Sequence, residues 1–435
     1  MAQVFSRASA HGARRRAPRG SYLVPGDKAI SHRALLLAAC AQGDSLIEGF
    51  SPAGDCQATA RLVRALGCRV GRRGDAVTVT GLASGTGRRR ELQQVTCARS
   101  GTTMRLGAGL LAGLPLSCRL TGHSQLLRRP MGRIVVPLRL MGARVQAAPG
   151  DRPPLELTGG GLRGIEFTPP QASAQVKSAL LLAGLSASSP TRVHEPIPTR
   201  DHTERLLAAM GAQLTISETE TGNWLELRPG PLQPLRLRVP GDPSTAAVLA
   251  TAAALVPGSD IRLRQVSLNP TRLGFFAVLR RMGAEVDLEG DVSGPEPAGD
   301  IRVRQAPLGA FSIGAAEVPR LIDELPLLGL LATVAEGVSE VRGAAELRVK
   351  ESDRIAGLVQ GLRALGADIQ ELPDGFSVRG PTRLRSGRCD ARSDHRLAMT
   401  FTLAELASSG PVQVDSTTLV GDSFPGFFQF WEALR

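Results

Sequence analysis

Lysine is nearly missing from this chain of 435 residues: of 52 basic side chains, only Lys28, Lys177 and Lys350 are lysines. Wherever any positive charge suffices the chain uses arginine, so a retained lysine marks a site suited to a compact ammonium that can change its protonation state. Aromatic residues are scarce as well, at 3% with two Trp and one Tyr. That leaves few platforms on which single-stranded nucleic acid could stack. The net charge of +12 therefore points to small phosphate-bearing anions, with no nucleic acid and no membrane among the expected partners. The six cysteines show no C-x-x-C spacing, which argues against a zinc site or a redox dithiol and for reduced thiols in a cytoplasmic protein. No apolar run reaches the roughly 18 residues that span a bilayer, and the first residues lack a signal-peptide core. Residues 1–20 carry five Arg and no acid; this is compatible with an organelle transit segment but reads first as a short disordered basic tail.

What is present is a repeat. A helix-like stretch ending in Leu or Met, then Gly, then a short strand-like segment recurs at Gly67, Gly142, Gly211, Gly283 and Gly366, with spacings of 75, 69, 72 and 83 residues. A unit of that length is a small α/β module rather than a solenoid repeat. Beside it runs a second element: small-residue apolar stretches beginning at Ala34, Leu106, Ser178, Thr245, Leu325 and Leu397. These are apolar on nearly every face and predict six helices buried all round, unlike the one-sided helices that end in Leu/Met-Gly. The implied unit is strand, exposed helix, strand, buried helix, strand. Six such units exceed one core and predict two three-unit domains, 24–238 and 1–23 plus 239–435, with the Pro-rich stretch 229–240 marking a crossover.

Nearly every polar cluster stands just before a buried helix: Lys28 to Arg33, Ser100 to Arg105, Ser173 to Lys177, Pro240 to Ser244, Asp323 with Glu324, and Ser393 to Arg396. Ser, Asp and Pro-Gly in such places are ordinary helix caps. Capping does not account for Lys and Arg there, since positive charge at a helix N-terminus opposes the dipole unless an anion offsets it. Helices that point the same way would bring these ends to one interdomain cleft, with unpaired amides and Arg33, Arg105, Arg129, Arg200, Arg354 and Arg396 drawing anions in. Asp323 and Glu351 are the candidate internal carboxylates for acid/base work on a polyanion.

These motifs closely resemble those of the 5-enolpyruvylshikimate-3-phosphate synthase family (3-phosphoshikimate 1-carboxyvinyltransferases). The likeness runs from about Val24 to the C-terminus, through P-G-D-K-x-I-S-H-R, S-G-T-T-M-R, R-P-M-G-R, S-A-Q-V-K-S-A, T-R-D-H-T-E, V-P-G-D-P-S, N-P-T-R, I-D-E, L-R-V-K-E-S-D-R, D-H-R-L-A-M and S-F-P-G-F. One such match arises by chance; eleven in order do not. The resemblance implies a two-domain inside-out α/β barrel of six βαβαββ repeats, three per domain, with the site between the domains. It implies transfer of the enolpyruvyl group of phosphoenolpyruvate to the 5-hydroxyl of shikimate 3-phosphate, with release of phosphate, by a monomer that needs neither metal nor organic cofactor. Matched by position, Lys28, Asp323 and Glu351 are the implied catalytic residues. Lys28, Gly101, Arg129, Gln175, Arg354 and Arg396 would hold phosphoenolpyruvate. Lys28, Ala29, Arg33, Ser173, Ala174, Gln175, Arg200, Asp323 and Lys350 would hold shikimate 3-phosphate.

Four positions depart from the family pattern. Ala29 stands where a Ser normally follows the lysine, Arg99 where an Asn precedes Ser100, His123 where an Asp is usual, and Asp422 where relatives often carry Lys or a small polar residue. Ala29 falls on the acceptor side. This leaves open an ordinary synthase, a paralogue that uses another phosphorylated acceptor, and a catalytically weak anion-binding protein of the same fold. The sister enzymes acting on UDP-N-acetylglucosamine carry a Cys a few residues before an Arg-Pro pair, whereas Cys118 lies well upstream of Arg129 and Pro130.

Overall fold

In the computed structural model, which describes residues 16–82, 91–291 and 293–434, each of the six apolar stretches is a helix: Lys28–Cys40, Gly101–Gly113, Ala174–Gly184, Pro243–Leu255, Leu325–Ala332 and His395–Ala404. In Pro243–Leu255 every residue but the last is buried, as an all-round apolar surface requires. The helix Gly274–Arg281, by contrast, buries Phe275, Phe276, Val278 and Leu279 and turns Arg280 and Arg281 outward or to its own end. The glycines that close the one-sided helices, Gly67, Gly142, Gly211, Gly283 and Gly366, all have φ between 78° and 108°. Lacking a Cβ, glycine takes this left-handed end without strain, which is why it recurs there.

Five units each build a four-stranded sheet in which the buried helix leads into a strand, then the one-sided helix, then an antiparallel hairpin, with an edge strand parallel to the first of these. In the second, third and fifth units the edge strand directly precedes the buried helix, whereas the first and fourth units exchange theirs. In the second unit these strands are Glu91–Thr96, Ser117–Thr121, Arg144–Ala148 and Arg152–Thr158, in the sheet order first, second, fourth, third. The apolar pattern predicted the opposite helix order and one strand fewer: the buried helix comes ahead of the exposed one, and the unit holds four strands. The last unit keeps the first half, the parallel pair Gly387–Asp390 and Val412–Asp415 around His395–Ala404. In place of a hairpin it continues into a turn at Thr417–Asp422 and the helix Phe427–Ala433. That segment is rich in Phe and Trp without period-two alternation, and it buries Phe427, Phe430 and Trp431 on one helix face.

Two hydrophobic cores result. One gathers buried residues from Ile30 to Val239; the other takes Val24 together with residues from Ala246 to Leu434. In the first lobe the helix Gly101–Gly113 packs on both of the other buried helices, and in the second lobe the three pack on one another, with the sheets outside. The strand Arg19–Leu23 joins Asp260–Ser267 in the second lobe, and Arg236–Arg238 joins Asp44–Glu48 in the first. The basic tail lies largely in residues 1–15, outside the described residues.

The chain therefore passes between lobes twice, and the two passages run side by side. The Asp27 amide donates to the Pro240 carbonyl at 2.8 Å, and the Asp242 amide to the Pro25 carbonyl at 2.8 Å. Asp27 and Asp242 are also the N-caps of Lys28–Cys40 and Pro243–Leu255, accepting from Ile30 N at 2.9 Å and Ser244 N at 2.8 Å. Arg272, 3% exposed, brackets both: its Nη1 donates to Asp27 at 2.6 Å and its Nη2 to Asp242 at 3.1 Å. Burial works against the charge on Arg272, but the carboxylates outweigh it and raise the guanidinium above its ordinary value. Removing one partner of such a buried network strands the others without counter-charge. Arg272→Met is accordingly expected to cost about 3–5 kcal/mol in urea unfolding; a loss below about 1 kcal/mol would show that this bracket does not hold the lobes.

Candidate active site

The N-terminal ends of all six buried helices line one cleft of about 350 Å³ between the lobes. Lys28 and Ala29 come from the first helix, Gly101 and Thr102 from the second, Ser173, Ala174 and Gln175 from the third. Asp242 and Ser244 come from the fourth, Asp323 from just before the fifth, and His395 and Arg396 from the sixth. Five of the ends carry the side-chain caps expected of them, from Asp27, Ser100, Ser173, Asp242 and Asp394. The Ser173 hydroxyl thus already accepts from Val176 N at 3.5 Å. Asp323 does not cap its helix: Glu324 holds that position without a side-chain cap bond, and Asp323 is turned to the arginines.

The lining holds eight Lys and Arg side chains against five carboxylates, leaving three positive charges in excess with histidine neutral. The carboxylates are spread so that arginines of each lobe meet them. Arg200 donates to Asp323 at 2.7 Å, Arg129 to Glu351 at 3.0 Å and Arg133 to Glu346 at 3.0 Å, each reaching across the cleft. Arg354, 1% exposed, donates to Asp394 at 2.8 Å, to Asp323 at 3.4 Å and to Glu351. Burial tends to raise the carboxyl of Asp323, but Arg396, Arg200, Lys350 and Arg354 hold it well below its usual range. Glu351 is likewise held well below it: burial opposes, and Arg354 and Arg129 prevail. Glu346 falls to about 2 under Lys350 and Arg133 despite its burial.

The retained lysines divide. Lys28 donates to Asp55 at 3.0 Å; burial would lower it, but Asp55 raises it, so its ammonium stays protonated in this arrangement. Lys350 donates to Glu346 at 2.8 Å and is lowered, chiefly by burial. Lys177 lies outside the cleft lining, 1% exposed, paired with Glu195 at 2.7 Å and with Glu204. It belongs to a buried ion cluster apart from the cleft.

The other expected residues gather as well. Arg33 donates through Nη1 to the Ala29 carbonyl at 3.0 Å, through Nη2 to Ser178 at 3.0 Å and through Nε to Thr203 at 2.9 Å. Its place is thus set without a side-chain partner at position 29. Gln175 accepts from Arg105 at 2.7 Å and donates to Thr102 at 2.9 Å; Arg105 stands behind the lining. A Cβ on Gly101 would meet Arg129 Nη1 at 2.8 Å, so glycine here lets that guanidinium face the cleft. His123 fills the place of an acid by capping the short helix Ser124–Leu127 through its ring. That helix presents Gln125, whose amide donates across the cleft to the carbonyls of Glu351 at 2.9 Å and Ser393 at 3.0 Å.

Sequence reasoning gave no role to Asp55, Glu346, Arg133, Arg272 or His395. The first four have partners that are distant in sequence or on the other lobe, so that although Arg133, Arg272 and His395 stand inside the motifs R-P-M-G-R, N-P-T-R and D-H-R-L-A-M, the motifs alone did not show what they touch. Burial pushes His395 down to about 4, so it is neutral at physiological pH, with Nε2 unpartnered. The six cysteines are unpaired. Cys118 sits in the strand Ser117–Thr121, where burial raises its thiol to about 11. Among the described residues no group of three His, Cys, Asp or Glu is placed to hold a metal, and no helix is long and apolar enough to cross a membrane.

Fold and site together define a two-lobed α/β protein that presents paired carboxylates and a surplus of arginines to small polyanions. Residues 16–431 match the family model described as EPSP synthase (3-phosphoshikimate 1-carboxyvinyltransferase), and the chain belongs to that family. It is 46% identical to the 3-phosphoshikimate 1-carboxyvinyltransferase of Desulforudis audaxviator over 422 residues, covering 96% of this chain and 97% of the relative. It is also 46% identical to that of a Synechococcus strain over 424 residues, covering 96% of each. The solved EPSP synthase of Acinetobacter baumannii superposes with a TM-score of 0.82 at 38% identity and 96% coverage of each chain. The enolpyruvyl transferase NikO of Streptomyces tendae, at 19% identity and a TM-score of 0.76 over 98% of this chain and 96% of its own, shares the fold.

Because the folded state disfavours the charged His395, stability should be level above about 6.5, the ordinary value, and fall as pH drops from there towards about 4. Urea unfolding at pH 7 and pH 5 is expected to show wild type losing about 2 kcal/mol more than His395→Gln. Equal losses would mean that His395 is solvated.

Proposed function

We propose that the protein transfers the enolpyruvyl group of phosphoenolpyruvate to the 5-hydroxyl of shikimate 3-phosphate and releases phosphate. The observation that supports this best is the position of Arg354. One buried guanidinium touches both Asp323 and Glu351, so a base and an acid stand on either side of a group suited to a carboxylate or a phosphate.

In the addition step Asp323 takes the proton of the 5-hydroxyl as its oxygen bonds to C2 of phosphoenolpyruvate. Glu351, whose proton affinity rises when phosphoenolpyruvate draws Arg354 and Arg129 from it, delivers a proton to the methylene carbon, and a tetrahedral intermediate results. In the elimination step Glu351 takes a proton back from the new methyl group, the double bond re-forms, the bond from C2 to the phosphate oxygen breaks, and the proton taken from the 5-hydroxyl leaves with the phosphate. A carboxylate held well below its usual range is a poor base. An anion that engages Arg200 and Arg396 removes part of that restraint and raises the proton affinity of Asp323. Lys28, Arg129, Gln175, Arg354 and Arg396, with Gly101 leaving room, hold phosphoenolpyruvate. Arg33, Ser173, Ala174, Gln175, Arg200 and Lys350, with Lys28, Ala29 and Asp323, hold the acceptor. The two lobes act as the two domains of the site, joined at 24–27 and 239–242, in a monomeric protein of the cytoplasm.

Purified protein given both substrates should release one phosphate per enolpyruvyl group transferred, and none with either substrate alone. Ala29→Ser should lower the KM for shikimate 3-phosphate by about fivefold, the value of one hydrogen bond. No phosphate release would overturn the assignment; release with an unchanged KM in Ala29→Ser would mean that the acceptor does not reach position 29.

A further inference from the structure

Two of the unusual residues, read from the sequence as separate departures, face each other. Arg99 immediately precedes Ser100, the N-cap of Gly101–Gly113 in the first lobe, and Asp422 ends the turn Thr417–Asp422 in the second. Arg99 Nη1 is 3.7 Å from Asp422 Oδ2. Asp422 also lies against the start of the helix Gly54–Ala65: a Cβ on Gly54 would meet its Oδ1 at 3.0 Å. The next residue of that helix is Asp55, which receives Lys28 at 3.0 Å. Burial, then the neighbouring Asp55, raises the Asp422 carboxyl above its usual value, while Arg99, Lys28 and His123 pull the other way. Asp55 thus lines the cleft with Lys28, and Asp422 stands beside it just outside that lining.

A second negative charge beside Lys28 weakens any anion that must bind there, unless a cation cancels it. Arg99 is placed to do so. We propose that Arg99 and Asp422 form a clasp between the lobes at the mouth of the cleft, in which Arg99 is a positioning residue: it neutralises Asp422 and keeps Lys28 available to phosphoenolpyruvate. The clasp rests on the function proposed above. It makes the two side chains interdependent, so the order of their removal matters. With Arg99 gone, the bare Asp422 carboxylate repels the anion; with Asp422 gone, Arg99 has nothing to cancel and attracts it.

The test is a double-mutant cycle on kinetics at low salt. Arg99→Ala should raise the KM for phosphoenolpyruvate by about three- to tenfold with kcat and the KM for shikimate 3-phosphate within about twofold. Asp422→Asn should lower or leave unchanged the KM for phosphoenolpyruvate. The double variant should return to within about twofold of wild type, as should Arg99→Lys, and the penalty of Arg99→Ala should shrink at about 0.5 M salt. Calorimetric titration of phosphoenolpyruvate into the same four proteins without acceptor reads the same pattern apart from turnover. A protein that binds with this pattern but transfers nothing to shikimate 3-phosphate would support the clasp and sink the proposed reaction. Single effects that simply multiply in the double variant, or an Asp422→Asn that also weakens binding, would overturn the clasp.

Discussion

Eight cationic side chains cannot share a cleft of about 350 Å³ between two lobes, at the positive ends of six helices, without carboxylates among them. That electrostatic constraint governs the rest of the site. Asp323, Glu346 and Glu351 are each held by arginines of the opposite lobe, so the counter-charges that make the cleft tolerable also join its two halves. Behind them the Arg272 bracket on Asp27 and Asp242 fixes the two helix starts nearest the crossovers, and with them the places of Lys28 and Ser244.

The same compensation sets the chemistry. A carboxylate that balances several guanidinium groups has little proton affinity, and one that loses a partner to an incoming anion has more. Asp323 and Glu351 are therefore poised by their neighbours, and the substrates that the arginines attract change that balance by binding. Neutral His395 and the buried Arg105 line or back this region without a carboxylate of their own. The cleft consequently keeps a surplus of positive charge even with its internal pairs formed.

Much of this was legible in the sequence. Six apolar stretches gave six buried helices, and five Leu/Met-Gly ends gave five one-sided helices closed by left-handed glycines, because both signals depend on local periodicity and backbone freedom. The order of the two helices within the unit was reversed, since a repeat read from a continuous chain does not say where the unit begins, and one strand of the short hairpin was missed. The scarcity of lysine led correctly to Lys28 and Lys350 in the cleft but not for Lys177, whose buried pairing with Glu195 and Glu204 imposes its own demand for a compact ammonium. Asp55, Glu346 and Arg272 stayed hidden because their roles come from partners brought near only by the fold. Arg99 and Asp422 were visible as oddities, yet nothing in a sequence separation of more than 300 residues shows that they meet.

Asp323 competes with anionic ligands for Arg200, Arg354 and Arg396, and calorimetric binding of shikimate 3-phosphate to Asp323→Asn measures that competition. Removing that competing charge while keeping the shape of the side chain should tighten binding by about threefold or more, even as turnover is lost. Unchanged or weaker binding by the variant would contradict this, because it would mean that the contact of Asp323 with the 5-hydroxyl outweighs its competition for the arginines.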